Sequence, residues 1–199
     1  MTLRKKTSCL ILAAGLSRRL GFDKASIMLN GAPLVSHMAE MMEKQGLETC
    51  VVVNSDFDRG VFQNRTTMTA VNPDPDSGRT GSIKIGLAAL GDVSRLIIAP
   101  VDRPGFSSDT LRKLMSLNYS SCPEKDGRGG HPILLDKVGI TAIRESPPDV
   151  PLRNLVTVTR FVVDDPHLHL NLDTIEDVED LLSAWERISK SWDVNSKSK

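Results

Sequence analysis

Short runs of consecutive apolar residues alternate along this chain with segments whose apolar positions recur every three to four residues. Ser8–Ala13 is apolar after its first position, the pattern of a strand buried on both faces. Leu34, Val35, Met38, Met41 and Met42 then recur at helical spacing. They predict a helix over 33–45, opened by Pro33 and stopped at Gly46. Residues 49–54 and 67–71 read as the second and third strands. The run Asn72-Pro73-Asp74-Pro75-Asp76-Ser77-Gly78 is a loop by its turn residues. A helix over 80–90 follows, with Ile83, Leu87 and Leu90 on one face, and 95–100 is the next strand. Ser108 is placed to cap a helix reaching 117. The polar, glycine-rich stretch 123–130 reads as a loop, and 131–136, 160–163 and 168–172 as short strands. The last helix begins at Thr174, whose side chain can cap it, and reaches 190. Its expected buried stripe is Ile175, Val178, Leu181, Leu182, Trp185 and Ile188.

Strands alternating with helices predict an α/β fold: a single-domain, Rossmann-like, doubly wound and mostly parallel sheet. The domain should occupy 1–190, with 191–199 a flexible tail. Such sheets bind ligands beyond the carboxyl ends of their strands. The residues that directly follow the two most strand-like runs, 15–24 and Asp102, therefore carry the most interest.

Charge narrows the function further. The 199 residues hold 25 Lys plus Arg and 25 Asp plus Glu. There is no basic excess of the kind that accompanies bulk nucleic-acid binding, so any anion site must be built locally. Cys9, Cys50 and Cys122 form neither a C-x-x-C pair nor a zinc spacing, which fits a reduced, cytoplasmic protein. Arg4, Lys5 and Lys6 precede an apolar run, as in a signal peptide, but Arg18 and Arg19 cut that run short. A core strand is the better reading. No segment approaches the roughly 18 apolar residues of a membrane span.

The loop after the first strand sets Gly15 close to Arg18, Arg19 and Lys24. Glycine lets backbone approach a ligand, and loop N–H groups with nearby cations suit phosphates. Leu20 stands where a G-x-x-x-x-G-K-[ST] loop needs glycine, and no G-x-G-x-x-G occurs. On these residues alone a phosphate site and an ordinary solvated turn are equally served. Gly81 and Ser82 lie at a helix start, which suits either a base or phosphate contact or a simple cap. Asp102 ends a core strand, where it serves as a magnesium ligand, an Asx turn or a helix cap. A lone His131 before Pro132 is structural by default. His167 and His169 have no third ligand near in sequence, so zinc is not expected. Glu176, Asp177, Glu179 and Asp180 suit the solvated first turns of the last helix.

Taken together, Leu12-Ala13-Ala14-Gly15-x-Ser17-x-Arg19-Leu20-Gly21-x-x-Lys24 resembles the signature of nucleotidyltransferases that act on molybdopterin. It is closest to the molybdenum-cofactor cytidylyltransferases, whose pattern is L-A-A-G-x-S-x-R-M-G-x-x-K. Four further segments resemble that family in order: 78–87, 100–104, 127–135 and 171–177. The resemblance implies a nucleotide-diphospho-sugar transferase type of fold. It also implies nucleotide contacts from Leu12, Ala13, Ala14, Gly15, Arg19, Lys24, Gly81 and Ser82. Catalytic roles would fall to Arg19, Lys24 and Asp102, with Asp102 and Asp173 holding Mg²⁺. Substrate contacts would come from Arg103, Gly130 and His131. Guanylyltransferase relatives usually carry L-A-G-G, so Ala14 points to CTP. The implied reaction places CMP on a phosphate acceptor, by resemblance molybdopterin, with release of pyrophosphate. A molybdoenzyme or maturation factor is the implied protein partner, with neither nucleic acid nor membrane. The alternatives are GTP as donor, a sugar- or alditol-phosphate acceptor on the same fold, and a non-catalytic nucleotide-binding regulator. Arg103, Asn171 and Ile175 depart from the family's Gln or Met, Asp and Pro.

Overall fold

The computed structural model describes residues 7–63 and 65–193. In chain order the first half holds β1 (Ser8–Ala13), β2 (Met28–Leu29), β3 (Ala32–Pro33), α1 (Leu34–Lys44), β4 (Glu48–Val53), β5 (Met68–Val71) and α2 (Arg79–Leu90). The second half holds β6 (Leu96–Pro100), α3 (Ser108–Ser116), β7 (Ser121–Lys125), β8 (Arg128–Gly129), β9 (Ile133–Leu135), α4 (Lys137–Glu145), α5 (Leu152–Leu155), β10 (Thr159–Val162) and α6 (Ile175–Trp192).

The main sheet has the order β10-β7-β9-β6-β1-β4-β5, with β8 paired to β7. β1 lies centrally and runs parallel to β4 and β6, and β4 parallel to β5. β9 runs antiparallel to β6 and β7. Alternate side chains of β1 feed two cores, as the pleat requires. Cys9, Ile11 and Ala13 pack with α1, α3 and α6, while Leu10 and Leu12 pack with α2 and α4. This is the mostly parallel, doubly wound α/β sheet that the sequence predicts. All three cysteines are buried and free. Among the described residues no helix is long and apolar enough to cross a membrane.

Several expectations need correction. The stretch 123–130 is not a loop: β7 and β8 form a hairpin turned at Asp126 and Gly127, both at positive φ. Its polarity reflects exposure, and Asp-Gly is itself a hairpin-turn signal. Asn30-Gly31 turns β2 into β3 in the same way. Residues 168–172 form no strand. They cross the sheet's end as a turn, with Leu168 and Leu172 buried and the Leu172 N–H donated to the Asp102 carbonyl at 3.0 Å. α4 and α5 were not anticipated; Asp136 caps α4 by accepting from the Gly139 N–H. Ser107, not Ser108, caps α3, because the Ser108 hydroxyl is turned away to the Ser191 carbonyl.

The capping box at Thr174 is present, closed by Asp177. The stripe of α6 is displaced, however. Ile175 and Leu182 are 50% and 53% exposed, and Ala184 and Trp192 take their places. α6 also reaches Trp192, so the expected tail starts inside a helix; 194–199 lie outside the described residues.

Candidate active site

The chain leaves β1 through buried Ala13 and Ala14, then coils around Ser17. Ser17 sits at φ 46°, in the left-handed region, and its carbonyl accepts from the N–H groups of Leu20 and Gly21. Its hydroxyl accepts from the Lys24 N–H at 3.2 Å. Asp23 caps a short 3₁₀ turn over Lys24–Ser26 by accepting from the Ala25 N–H. Buried Leu20 and Ala25 anchor the loop on both sides. The result fixes Lys24 with its side chain directed inward, only 14% exposed.

Two carboxylates meet that ammonium. Lys24 Nζ donates to Asp173 Oδ1 at 2.7 Å and lies 3.8 Å from Asp102 Oδ2. Asp102 follows β6, held there by the Val101 N–H bond to the Leu12 carbonyl. Asp173 reaches the same place from the end of the 165–172 turn. Its Oδ2 accepts from Asn171 Nδ2 at 2.6 Å and lies 3.6 Å from Arg19 Nη1. The hydrogen bond from Lys24 is the main cause that holds the Asp173 carboxyl below its usual range, aided by Asn171 and Arg19. Asp102 Oδ1 is buried and has no hydrogen-bond partner. A buried acceptor left unsatisfied is costly and asks for a donor or cation. Two carboxylates facing one positive centre, one of them with a spare buried oxygen, fit a magnesium ion whose other ligands are phosphates and water.

A cleft of about 270 Å³ opens beside this cluster. Leu12, Ala13, Ala14 and Gly15 line one wall, and Pro75, Gly78, Arg79 and Ser82 the other, with Lys24 and Asp102 at the end. Gly78, at φ 103°, precedes α2 and supplies no side-chain cap to the first N–H groups of that helix, the end of a helix that suits an anion. Asn72, buried just past β5, donates from Nδ2 to Ser82 Oγ at 2.9 Å. An adjoining cavity of about 340 Å³ is lined by Arg18, Arg19, Lys24, Asp76 and Asp173. The Arg18–Asp76 pair, at 2.8 Å, joins the loop after β1 to the loop before α2. Base-sized space and a cationic lane thus lie end to end.

Most of the expected residues converge. Leu12, Ala13, Ala14, Gly15, Lys24, Ser82 and Asp102 share the cleft, and Arg19 and Asp173 share the lane beside it. Gly81 does not face the cleft. A Cβ there would stand 2.7 Å from Ser77 Oγ, so its role is to let the 75–77 turn pack on α2. Gly130 likewise serves packing: its N–H bonds the Pro123 carbonyl, and a Cβ would meet Leu168 at 2.7 Å. Arg103 and His131 line neither the cleft nor the adjoining cavity. Arg103 Nη1 is 3.5 Å from the His169 carbonyl. The His131 ring is largely buried with no partner at Nδ1, and burial, then Arg79 and Arg103, push its pKa down to about 3. Sequence reasoning missed Arg79 and Asn72. Asn72 follows a strand at the ligand-binding edge, so the strand-end rule applied to β5 would have found it.

Against known proteins, residues 9–164 match the model of the MobA-like NTP transferase domain. The chain belongs to that family. A molybdenum cofactor guanylyltransferase of Xanthomonas euvesicatoria pv. vesicatoria (strain 85-10) is 30% identical over 123 residues, covering 61% of this chain and 60% of that one. The chain therefore spans about three fifths of that relative's length. Nicotine blue oxidoreductase of Paenarthrobacter nicotinovorans is 32% identical over 140 residues, covering 63% and 69%. Among solved structures, Rv0371c of Mycobacterium tuberculosis H37Rv has a TM-score of 0.77 at 18% identity, covering 90% of this chain and 99% of its own. This MobA-like chain therefore shares its fold with proteins whose sequences have largely diverged from its own.

Proposed function

We propose that this MobA-like protein transfers a nucleoside monophosphate from GTP to a phosphate on a molybdopterin-type acceptor, with release of pyrophosphate. The observation that carries the reading is Lys24, held between Asp102 and Asp173 where the cleft meets the cationic lane. The choice of GTP rests on relatives named molybdenum cofactor guanylyltransferase. It replaces CTP as the leading donor. CTP stays as the second reading because Ala14 gives the loop the L-A-A-G form.

In this reaction an oxygen of the acceptor phosphate forms a bond to the α-phosphorus, and the bond from that phosphorus to the bridging β-oxygen breaks. Pyrophosphate carries the electron pair away, and no proton has to move. Catalysis then consists of positioning and charge stabilisation. The walls at 12–15 and at the start of α2 orient the nucleotide. Lys24 and Arg19 stabilise charge that accumulates on the departing phosphates. Asp102 and Asp173 would hold Mg²⁺, which neutralises phosphate charge when bound. Reduced, buried cysteines agree with a cytoplasmic setting. A molybdoenzyme or maturation factor would receive the product.

The test is pyrophosphate release by the purified chain with Mg²⁺, molybdopterin and either GTP or CTP. Release with GTP exceeding that with CTP supports the proposal. Release with CTP alone returns the donor to cytidine, and no release with any triphosphate rejects transfer. That last result would also favour the kind of divergence that the oxidoreductase relative's name indicates.

A further inference from the structure

We infer that β10 is a docking edge for a second copy of this chain, the two strands pairing antiparallel about a twofold axis at Val162. This surface lies outside the transfer site and is independent of the transfer reading.

The main sheet ends at β10 on one side and at β5 on the other. β5 is partly buried along its length, whereas Thr159, Arg160 and Val162 of β10 are exposed. The Thr159 N–H donates to the Ser120 carbonyl and the Val163 N–H to the Glu124 carbonyl, both at 2.9 Å. Odd positions therefore turn their backbone groups to β7, while Arg160 and Val162 turn theirs outward. Among the described residues, those outward groups receive one hydrogen bond, from exposed Lys113 Nζ to the Val162 carbonyl at 3.4 Å. That long contact leaves the carbonyl its second lone pair. Side chains alternate in step. Phe161 and Val163 pack against the core, and Arg160, Val162 and Asp164 are exposed. Val162, 70% exposed, is an apolar side chain at the middle of an open edge, the arrangement that invites another strand.

The order of residues selects a second copy as the occupant. Arg160 and Asp164 stand two positions to either side of Val162, with opposite charge. Antiparallel pairing centred on Val162 sets it opposite its own counterpart, and each Arg160 opposite Asp164 of the other copy. The edge is thus self-complementary, as a twofold interface requires. Asp164 has no ion pair among the described residues. Arg160 has a loose one, 3.6 Å from Glu124 Oε2, and donates to the Gly127 carbonyl. A register shifted by two residues would face Val162 with a charge instead. A single short strand on each side makes a small interface, so association is weak and depends on concentration.

Sedimentation velocity of the full chain over about 1–500 μM, the range of weak small interfaces, tests the pairing. The wild-type mass should rise from 21.8 kDa towards twice that value. Val162→Pro removes an outward N–H and leaves the β7 ladder intact, a position where an edge strand tolerates proline. It should weaken association at least about tenfold, since the twofold axis loses two hydrogen bonds at once. Its circular dichroism and melting profile check that it is folded. Arg160→Asp and Asp164→Arg each set like charges opposite one another, so each variant alone should stay monomeric. Mixed in equal amounts, the two should associate with each other as wild type does with itself, a result that only folded chains paired in this register give. A wild type that stays monomeric throughout overturns the proposal. So does association indifferent to these substitutions, or charge variants that fail to recover on mixing.

Discussion

Lys24 is the residue on which the site's electrostatics converge, since it is held by the Ser17 hydroxyl at its backbone and by two carboxylates at its tip. Lys24→Ala should reduce pyrophosphate release by about 10²- to 10³-fold, as removal of a preorganised transition-state contact does elsewhere. The Asp173 carboxyl should also titrate higher in that variant, because its largest stabilising partner is gone. A variant within threefold of wild type would remove Lys24 from the mechanism. His131 makes a prediction of opposite chemical sense. Its pKa in the folded chain is about 3, below the roughly 6.5 of a free histidine. As pH falls through 6.5 the unfolded chain gains a proton that the folded one refuses, so stability is lost with falling pH, at up to about 1.4 kcal/mol per pH unit. Urea unfolding at pH 7, 6 and 5 should show a shallower loss for His131→Gln than for wild type. Parallel curves would mean that the ring is not held neutral in the fold.

At the scale of elements, the 165–172 turn deserves a direct test because it delivers Asp173. A Cβ at Gly105 would fall on the His167 carbonyl oxygen, so backbone itself would have to move. Gly105→Ala should lower stability by about 1–3 kcal/mol, the usual cost of overpacking, and should depress transfer as well by shifting Asp173. Thermal melting together with pyrophosphate release checks both; an active variant with an unchanged melting point would show that the turn does not position Asp173. The same turn marks where sequence reading gave out. β1, β4 and β6 were legible because each carries an unbroken apolar run, and α1 because its buried face keeps helical spacing. Residues 168–172 alternate like a strand, yet their burial comes from lying across the sheet's end. β7 and β8 looked like a loop because hairpin residues at the rim face water, although Asp126-Gly127 was there to be read. In the site, residues 12–24 and Asp102 were legible as strand ends. Arg79 was not, because an exposed arginine at a helix start has no spacing that separates it from an ordinary surface charge.

For the whole molecule, the two walls of the cleft belong to different layers: residues 12–15 extend the sheet, and Ser82 rides on a helix packed against it. A nucleotide bound between them should stabilise the entire fold. GTP at a hundred times its dissociation constant contributes about 2.7 kcal/mol, worth several degrees of melting temperature in a domain of this size. CTP at equal concentration should give a smaller rise; equal rises would remove the preference for guanine. β9 has a consequence of another kind. Where the neighbouring parallel strands present their exits to the cleft, this reversed strand presents its entrance, and His131 arrives with it. The residues 12–102 that line the cleft and the β8–β9 segment that carries His131 thus come from different stretches of chain. That seam permits recombination. Exchanging residues 126–131 for those of a relative with a different acceptor should change acceptor preference while the GTP-induced rise in melting temperature stays the same.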